Sequence, residues 1–291
     1  ATDKRRQQWH TVKGTKREAE KRLAELVNQV DNGQYSQPTK LTFGSFMGRW
    51  LQDYAWPNLS PETAQAYDIM AQKHLIPVLG NIPLQQLTPF HIQTYYTDKL
   101  ISGRRDGKGA LSPRTVRHHH RLIHVALESA VRLQLVHRNV SDAVTAPKYR
   151  NKEMQTFNEK GMPAFLESVK VTEYYPMFYT ALFTGVRRSE LLALRWSDID
   201  LDLGYISINR SIHHLEDKSF VFQPPKTSKS RRQVPLSPST SIVLRQHRDN
   251  QRAAKLLIGN PVTESSLVFC QLDGRPLLPR SVSQAWRRLV R

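Results

Sequence analysis

The sequence predicts a multidomain, mainly α chain. A helical domain is followed by an α+β domain with a small antiparallel sheet, and the remnant of a strand-helix module precedes both. Two observations lead to this prediction. Apolar residues at helical spacing and Ser-Pro helix starts dominate the first half, whereas three segments beyond residue 200 alternate apolar and polar residues, as half-buried strands do. The 39% hydrophobic content of the 291 residues is enough for packed cores.

The first segment, residues 1–34, reads as the end of a strand-helix module. Residues 4–13 predict a basic edge strand, which Gly14 ends. Thr15 with Glu18 three residues later forms a capping box that starts a helix running to about Val30. A polar linker over 35–41 follows. The chain opens with Ala1 and closes in a helical pattern, so we expect both ends to be cut.

The helical domain is predicted over 42–147, with helices that begin near residues 43, 60, 88 and 112. The last of these carries a basic face at i, i+3, i+4 and i+7, opposite an apolar face. The basic face comprises Arg114, Arg117, His118 and Arg121, and the apolar face comprises Val116, Ile123, Leu127 and Ala130. Residues 104–150 hold ten Lys or Arg against three Asp or Glu, which favours phosphate binding over a merely solvated face.

A charged linker over 148–157 leads to the second domain, residues 158–291. Helices are predicted over 158–170 and 174–185, the second ended by Gly185, and a short helix follows at 188. Segments 205–214, 219–225 and 231–237 predict one small antiparallel sheet. Two further helices begin at 237 and 278.

The charge balance narrows the class of partner. The chain has 43 Lys+Arg against 25 Asp+Glu, a net charge of +18, and an isoelectric point near 10.2, which indicates DNA, RNA or an anionic membrane. We expect no membrane span and no signal peptide, because no apolar run is long enough. A single cysteine, Cys270, excludes an internal disulfide framework and zinc sites of several cysteines. The prediction is therefore a nucleic-acid partner and a cytoplasmic or nuclear location.

The segment TGVRRSELLALRW, residues 184–196, predicts an anion site. Gly185 ends one helix, and Arg187 then stands at the start of the next, beside free backbone N–H groups. Glu190 lies three residues later and could hold Arg187 or Arg188. Spacing alone leaves open whether Arg187 serves this carboxylate or an external anion.

The segment PPKTSKSRRQVPLS, residues 224–237, places Lys226, Lys229, Arg231 and Arg232 on a predicted hairpin. Basic turns are commonly only solvated. A lysine on such a turn can also reach into a DNA groove or toward a leaving oxygen.

In this order, the two motifs resemble the tyrosine recombinase (phage integrase) family. ALFTGVRRSELLALRWSDIDL is similar to the first catalytic-arginine box, and PPKTSKSRRQVPLS to the catalytic-lysine hairpin. SPRTVRHHHRLIHVALESAV with RNVSDAV resembles the close of the core-binding (SAM-like) domain. WHTVKGTKREAEKRLAEL resembles the end of the arm-binding domain. The match extends over almost the whole chain.

The resemblance implies roles for particular residues. Arg187 would be the first catalytic arginine, Lys226 the catalytic lysine and general acid, and Glu190 a supporting residue. Double-stranded DNA is the implied partner, and no metal or other cofactor is implied. The DNA-binding residues that we predict are Arg114, Arg117, His118, Arg121, Lys229 and Arg231.

The chain also departs from the family pattern. A His-x-x-Arg box and a nucleophilic tyrosine should follow the lysine, but the last tyrosine is Tyr205. The histidine after Lys226 is His247, with no arginine three residues later. We therefore expect a fragment of a nucleoid-associated recombinase that binds DNA without cleaving it. The full-length protein would form a tetramer on paired sites.

Three alternatives remain open. Three histidines are neighbours at His118, His119 and His120, and His120 with His124 has the helical spacing of metal ligands. Surface or DNA-facing histidines are the preferred interpretation. A magnesium-dependent nuclease could use Asp198, Asp200 and Asp202 with Glu216 and Lys218, or those aspartates could simply form a turn. A non-catalytic DNA-binding protein, or a decayed recombinase, is the third.

Overall fold

The computed structural model describes residues 11–31, 39–151, 153–154, 156–215, 217–225 and 230–290. The chain divides into two compact units, Ala1–Asn151 and Lys152–Arg291, which we call the helical unit and the α+β unit. The predicted domain boundaries within them stay predictions. Most of the strand predicted over 4–13 lies outside the described residues, and residues 11–13 have no regular structure.

Helix α1 (Lys16–Asp31) begins where the capping pattern predicts. The Glu18 carboxylate accepts hydrogen bonds from the Thr15 amide, at 2.7 Å, and from the Thr15 hydroxyl, at 3.1 Å. These bonds, the backbone one foremost, hold the pKa of Glu18 below its ordinary value. One side chain therefore satisfies a backbone donor that the first helical turn leaves unpaired.

The rest of the helical unit contains two long helical runs and two further helices. Each run contains one π-helical turn and is otherwise continuous. The two runs correspond to the two helices that the sequence predicts to begin near residues 43 and 60. The elements are α2 (Phe43–Trp50), a π turn (Leu51–Ala55), α3 (Trp56–Asn58), α4 (Pro61–Met70), a π turn (Ala71–Leu75), α5 (Ile76–Leu79), α6 (Pro89–Ser102) and α7 (Pro113–Arg132), with 3₁₀ turns at Leu84–Gln86 and Val140–Ala143.

Helices α2 and α5 approach each other at two glycines. The Gly44 amide donates to the Gly80 carbonyl at 3.0 Å, and a Cβ added at Gly44 would lie 3.1 Å from Gly80 Cα. The neighbouring atoms belong to the backbone of Gly80 and cannot move aside as a flexible side chain could, so a side chain at Gly44 would push the two helices apart.

Helix α7 has the two faces that its sequence predicts. Val116, Ile123, Leu127 and Ala130 are buried in the core of the helical unit. The Ser112 hydroxyl caps the helix by accepting the Thr115 amide at 3.1 Å. The helix ends at Arg132, because Gln134 adopts a left-handed conformation with φ of 57°.

Two consecutive tyrosines of α6 form hydrogen bonds with two consecutive histidines of α7. Tyr95 Oη lies 2.8 Å from His119 Nδ1, and Tyr96 Oη lies 2.8 Å from His120 Nδ1. The prediction of surface histidines is wrong for His119, which is 1% exposed. The reason is geometric, since residue 119 lies three and four positions from Val116 and Ile123 and shares their buried face.

Burial first, and then the nearby charges of His74, Lys99 and His118, together lower the pKa of His119 to about 4. The His74 ring lies 5.0 Å from that of His119, and burial lowers its pKa as well. Between the folded value near 4 and the ordinary value of 6.5, the unfolded chain binds more protons than the folded chain. The stability of the helical unit therefore falls as the pH falls through this window.

We expect His119 to make the free energy of unfolding decrease by about 3 kcal/mol between pH 7 and pH 4. His119→Gln keeps a hydrogen-bonding group near Tyr95 but does not titrate, so urea unfolding of this variant should show a shallower pH dependence. His137→Gln, at an exposed position that follows α7, is the matched control and should keep the wild-type dependence. Equal slopes for His119→Gln and wild type would contradict this account.

The α+β unit contains five helices, one 3₁₀ turn and five short strands among its described residues. They are α8 (Gly161–Val169), α9 (Tyr175–Thr184), α10 (Arg188–Leu191), a 3₁₀ turn (Trp196–Asp198), β1 (Ile199–Asp200), β2 (Tyr205–Ile208), β3 (Ser211–His214), β4 (Phe220–Gln223), β5 (Arg232–Pro235), α11 (Pro238–Leu256) and α12 (Pro279–Leu289). The core includes an aromatic cluster of Phe165, Phe178 and Trp286. None of the described helices has the length and apolar character needed to cross a membrane.

The strands form two sheets, whereas the sequence predicted one. Strands β1, β2 and β5 make an antiparallel three-stranded sheet, and β3 with β4 makes a separate hairpin. The break falls at Asn209 and Arg210, whose side chains both turn to the buried Asp198 carboxylate. Asn209 donates to it at 3.2 Å, and Arg210 forms an ion pair with it. The cost of leaving this carboxylate unpaired explains why the strand bends here.

Candidate active site and nucleic-acid interface

The turn from α9 to α10 places Arg187 at the edge of the α+β unit. Gly185 ends α9 in the left-handed conformation, with φ of 63°, and its amide donates to the Ala181 carbonyl at 3.0 Å. A residue with a Cβ would be strained at this φ, so glycine has a local reason here. Arg187 is then the extended N-cap residue of α10. Because α10 has only four residues, the positive charge at this point comes mainly from side chains.

The Glu190 carboxylate is the centre of the site. It accepts the Arg187 side chain at 2.9 Å and the Arg187 amide at 3.1 Å. Arg232, at the start of β5, donates to both of its oxygens, at 3.2 and 2.8 Å. Burial pushes the pKa of Glu190 upward, but the hydrogen bonds from Arg232 and Arg187 outweigh it and hold this pKa below its usual range. Glu190 is therefore ionised at neutral pH.

One carboxylate thus serves two guanidinium groups, which leaves the three side chains with a net charge of +1. The Glu190 side chain is 7% exposed, whereas that of Arg187 is 69% exposed. Arg187 is therefore held by a protein carboxylate and still presents most of its guanidinium to solvent. Both interpretations of Arg187 therefore hold. Its pairing with Glu190 orients the guanidinium, and the guanidinium remains open to an external anion.

The basic face of α7 is a second cationic surface. Arg114, Arg117, His118 and Arg121 are all exposed, and they line a groove of about 340 Å³ together with His120, His124 and Tyr149. None of the three arginines has an ion pair or hydrogen bond within the part of the chain that the structure describes. Arg132, on the same helix, is paired with Glu128 at 3.9 Å. The groove therefore concentrates positive charge that no described protein carboxylate neutralises.

Family comparisons match both units. A model described as phage integrase, N-terminal SAM-like domain, matches residues 42–100, and a model of the phage integrase family matches residues 147–291. Together they span well over half of the chain. The chain belongs to the phage integrase family.

Curated relatives agree with this membership. The integrase chain is 28% identical over 289 residues to an integrase of Streptomyces ambofaciens, which covers 95% of this chain and 70% of the relative. It is 26% identical over 294 residues to a XerC-like tyrosine recombinase of Caldanaerobacter subterraneus subsp. tengcongensis, covering 95% and 73%.

Solved structures share the fold. A Tn1549 transposon integrase in complex with a circular intermediate DNA has a TM-score of 0.69 at 17% identity, covering 86% of this chain and 77% of that one. A lambda integrase dimer bound to a COC' core site has a TM-score of 0.61 at 17% identity, covering 94% and 71%. The tyrosine-recombinase fold, with a helical SAM-like domain and small antiparallel sheets, is thereby established for the integrase chain.

The structure brings only part of the predicted site together. Arg187 and Glu190 are in contact, and the predicted groove residues share one face of α7. Lys226 and Lys229 lie outside the described residues. Arg231 is exposed next to β5 and makes none of the contacts with Glu190.

Sequence reasoning on the integrase chain missed Arg232. It contacts Glu190 across 42 positions of sequence, which no local spacing rule anticipates. A usable signal was present, because Arg232 alternates with Val234 and Leu236, which pack against the core. In a strand these alternate residues share a face. Arg232 therefore points inward and Arg231 outward.

We expect Arg232→Met to destabilise the α+β unit by about 1–3 kcal/mol, because the buried Glu190 carboxylate loses two hydrogen bonds and keeps only those from Arg187. Arg231→Met removes the same charge from the neighbouring exposed position and should change the free energy of unfolding by less than about 0.5 kcal/mol. Urea unfolding measures both. Equal losses in the two variants would contradict the role assigned to Arg232.

The aspartates of the nuclease alternative are engaged separately. Asp198 is buried against Arg210, and Asp200 accepts the backbone amides of Asp202 and Leu203 at 3.0 and 2.7 Å. Asp202 pairs with Arg245 at 2.7 Å. These contacts form the turn before β2, and Glu216 lies outside the described residues.

The histidine pair of α7 is likewise engaged. His120 bonds Tyr96, and His124 Nε2 lies 3.0 Å from Asp142 Oδ1. Across the described ranges, no group of three His, Cys, Asp or Glu side chains is placed to hold a metal ion.

Proposed function

We propose that this integrase-family chain is the DNA-binding portion of a site-specific recombinase of the tyrosine type, with duplex DNA as its partner and no metal in its chemistry. The observation that carries the proposal is the shared carboxylate of Glu190, which orients Arg187 while leaving its guanidinium exposed and the cluster positively charged. A phosphodiester is the anion that such a cation suits in a chain of net charge +18.

The proposed chemistry is phosphoryl transfer. Arg187 contacts the non-bridging oxygens of the scissile phosphate and stabilises the charge that grows on them in the transition state. A tyrosine hydroxyl attacks phosphorus, so that a phosphotyrosyl bond forms to the 3′ end as the bond to the 5′ oxygen breaks. Lys226 protonates that leaving oxygen. Glu190 and Arg232 act through Arg187, since they fix where its guanidinium lies.

Binding to the duplex is proposed to use both units. The predicted core-binding domain, residues 42–147, would contact phosphates through the α7 groove. The predicted catalytic domain, residues 158–291, would contribute Arg187, Lys229 and Arg231. Each neutralised phosphate releases condensed counterions, so affinity should fall steeply as salt is raised.

The relatives support this partner and suggest an assembly. Solved neighbours include a lambda integrase tetramer bound to a Holliday junction, at a TM-score of 0.59 and 16% identity. By extension, the full-length protein would self-associate as a tetramer on DNA and act in the cytoplasm, at the nucleoid.

We further propose that the 291 residues alone bind DNA without cleaving it. No tyrosine follows Lys226 in the printed sequence. Tyr174 and Tyr175 pack against aromatic neighbours of α9, with ring centroids 5.7 Å from Phe178 and 5.5 Å from Tyr179. Tyr205 is paired with Pro235 in the three-stranded sheet. Packing explains these tyrosines without a role as nucleophile.

The test incubates the chain with nicked duplexes that carry candidate sites. We expect a salt-sensitive complex on a native gel and no protein–DNA band after denaturation. A band that survives denaturation would show a nucleophile among these residues, and Tyr→Phe variants at 174, 175, 179 and 205 would locate it. Absence of the native complex at low salt would overturn DNA binding itself.

A further inference from the structure

We propose that Tyr149 is a positioning residue that holds Arg117 ready for a DNA phosphate, an inference that rests on the proposed function. Tyr149 lies in the segment that follows the 3₁₀ turn Val140–Ala143, within the helical unit. Its ring is the one contribution of that segment to the groove, whose other lining residues belong to α7.

The contact is a cation–π pair. Arg117 Cζ lies 5.6 Å from the centroid of the Tyr149 ring, inside the range over which a guanidinium is attracted to an aromatic face. Arg117 has no hydrogen bond or ion pair to any other described residue. Arg114 and Arg121, one turn away on either side, have no aromatic contact among the described residues. Tyr149 therefore singles out the middle arginine of the groove.

The two half-buried histidines of the groove already have partners. His120 is hydrogen-bonded to Tyr96, and His124 contacts the Asp142 carboxylate, so neither histidine is available to hold an arginine. The three groove arginines are exposed, and an exposed arginine side chain without a contact samples many rotamers. Ordering a long cationic side chain costs conformational entropy on binding, and a contact that restricts it beforehand lowers that cost. The Tyr149 ring supplies this restriction for Arg117.

The position of Tyr149 has a second consequence. It lies in the predicted linker, 148–157, so the groove is complete only when the start of that linker lies against α7. Because the ring orders Arg117 before a phosphate arrives, docking of this segment and binding of DNA to Arg117 favour each other.

A double-mutant cycle tests the inference, with affinity for a short duplex measured at low salt. Tyr149→Ala should weaken binding about two- to fivefold, and Tyr149→Phe, which keeps the ring, should bind like the wild type. In an Arg117→Ala background, Tyr149→Ala should have no further effect. Phe90→Ala removes an exposed aromatic ring of α6 that does not line the groove, and it should leave affinity unchanged. Thermal unfolding confirms that each variant is folded.

The outcomes separate this inference from the function on which it rests. If the wild-type chain does not bind duplex DNA, both are overturned. If it binds, and Tyr149→Ala either has no effect or weakens affinity equally with and without Arg117, DNA binding stands and the role of Tyr149 is overturned. A loss in Tyr149→Phe equal to that in Tyr149→Ala would assign the effect to the hydroxyl and would also overturn it.

Discussion

Replacing Arg187 with alanine should lower the rate of DNA strand cleavage by about 100-fold or more, measured in a form of the protein that carries the proposed tyrosine nucleophile. The expected loss is large because, in the proposed mechanism, the guanidinium acts on charge that develops in the transition state. DNA affinity should change little, since Arg187 is one of many cations in a chain with 43 Lys+Arg. Single-turnover cleavage of a nicked substrate measures the first quantity, and a gel shift measures the second.

Arg188→Ala is the matched control for this prediction. Its side chain donates to the Pro279 carbonyl at 3.3 Å and bonds the Ser283 hydroxyl, so it links α10 to α12 and makes no contact with Glu190. This variant should keep cleavage within a few-fold of wild type. Near-normal cleavage in Arg187→Ala would return Arg187 to a purely structural partner of Glu190 and refute the assignment.

Replacing Arg117 and Arg121 together with alanine should weaken binding to duplex DNA about tenfold or more at low salt. Two phosphate contacts would be lost, so the slope of log affinity against log salt should become shallower by about two. The effect should be uniform across DNA sequences, because phosphate contacts carry no base information. Fluorescence anisotropy over a series of salt concentrations measures both quantities.

Arg132→Ala provides the comparison on the same helix. It removes one positive charge, as Arg121→Ala does, but Arg132 pairs with Glu128 and does not line the groove. We expect a clearly smaller loss of affinity and an unchanged salt slope. If Arg121→Ala and Arg132→Ala weaken binding equally, the effect is one of net charge, and the choice of the groove as the interface is wrong.

Local spacing in the sequence was enough to predict most helices and the contacts within single turns. Helix α7 shows why. Residues three and four apart lie on one face, so the pattern from Arg114 to Ala130 predicts both the exposed and the buried face of the helix. Gly185 and the pair of Arg187 with Glu190 were predictable on the same ground, since their geometry spans at most a few residues. In the Ser-Pro helix starts, Ser112 and Ser237 cap their helices by accepting the backbone amide three residues on, whereas the Ser60 hydroxyl forms a hydrogen bond with the Thr63 hydroxyl instead.

Contacts between distant residues were decided only by the tertiary structure. Asp198 divides the predicted sheet in two by drawing Asn209 and Arg210 to its buried carboxylate. Arg232 completes the site by reaching Glu190 from another element, and Tyr149 completes the groove in the same way. Sequence by itself determined the family motifs, the charge and the faces of the helices. The packing of elements far apart in the chain decides which charges have partners and which remain open to an external anion. The reason is that burying an unpaired charge costs free energy, and only the packed structure determines which charges are buried.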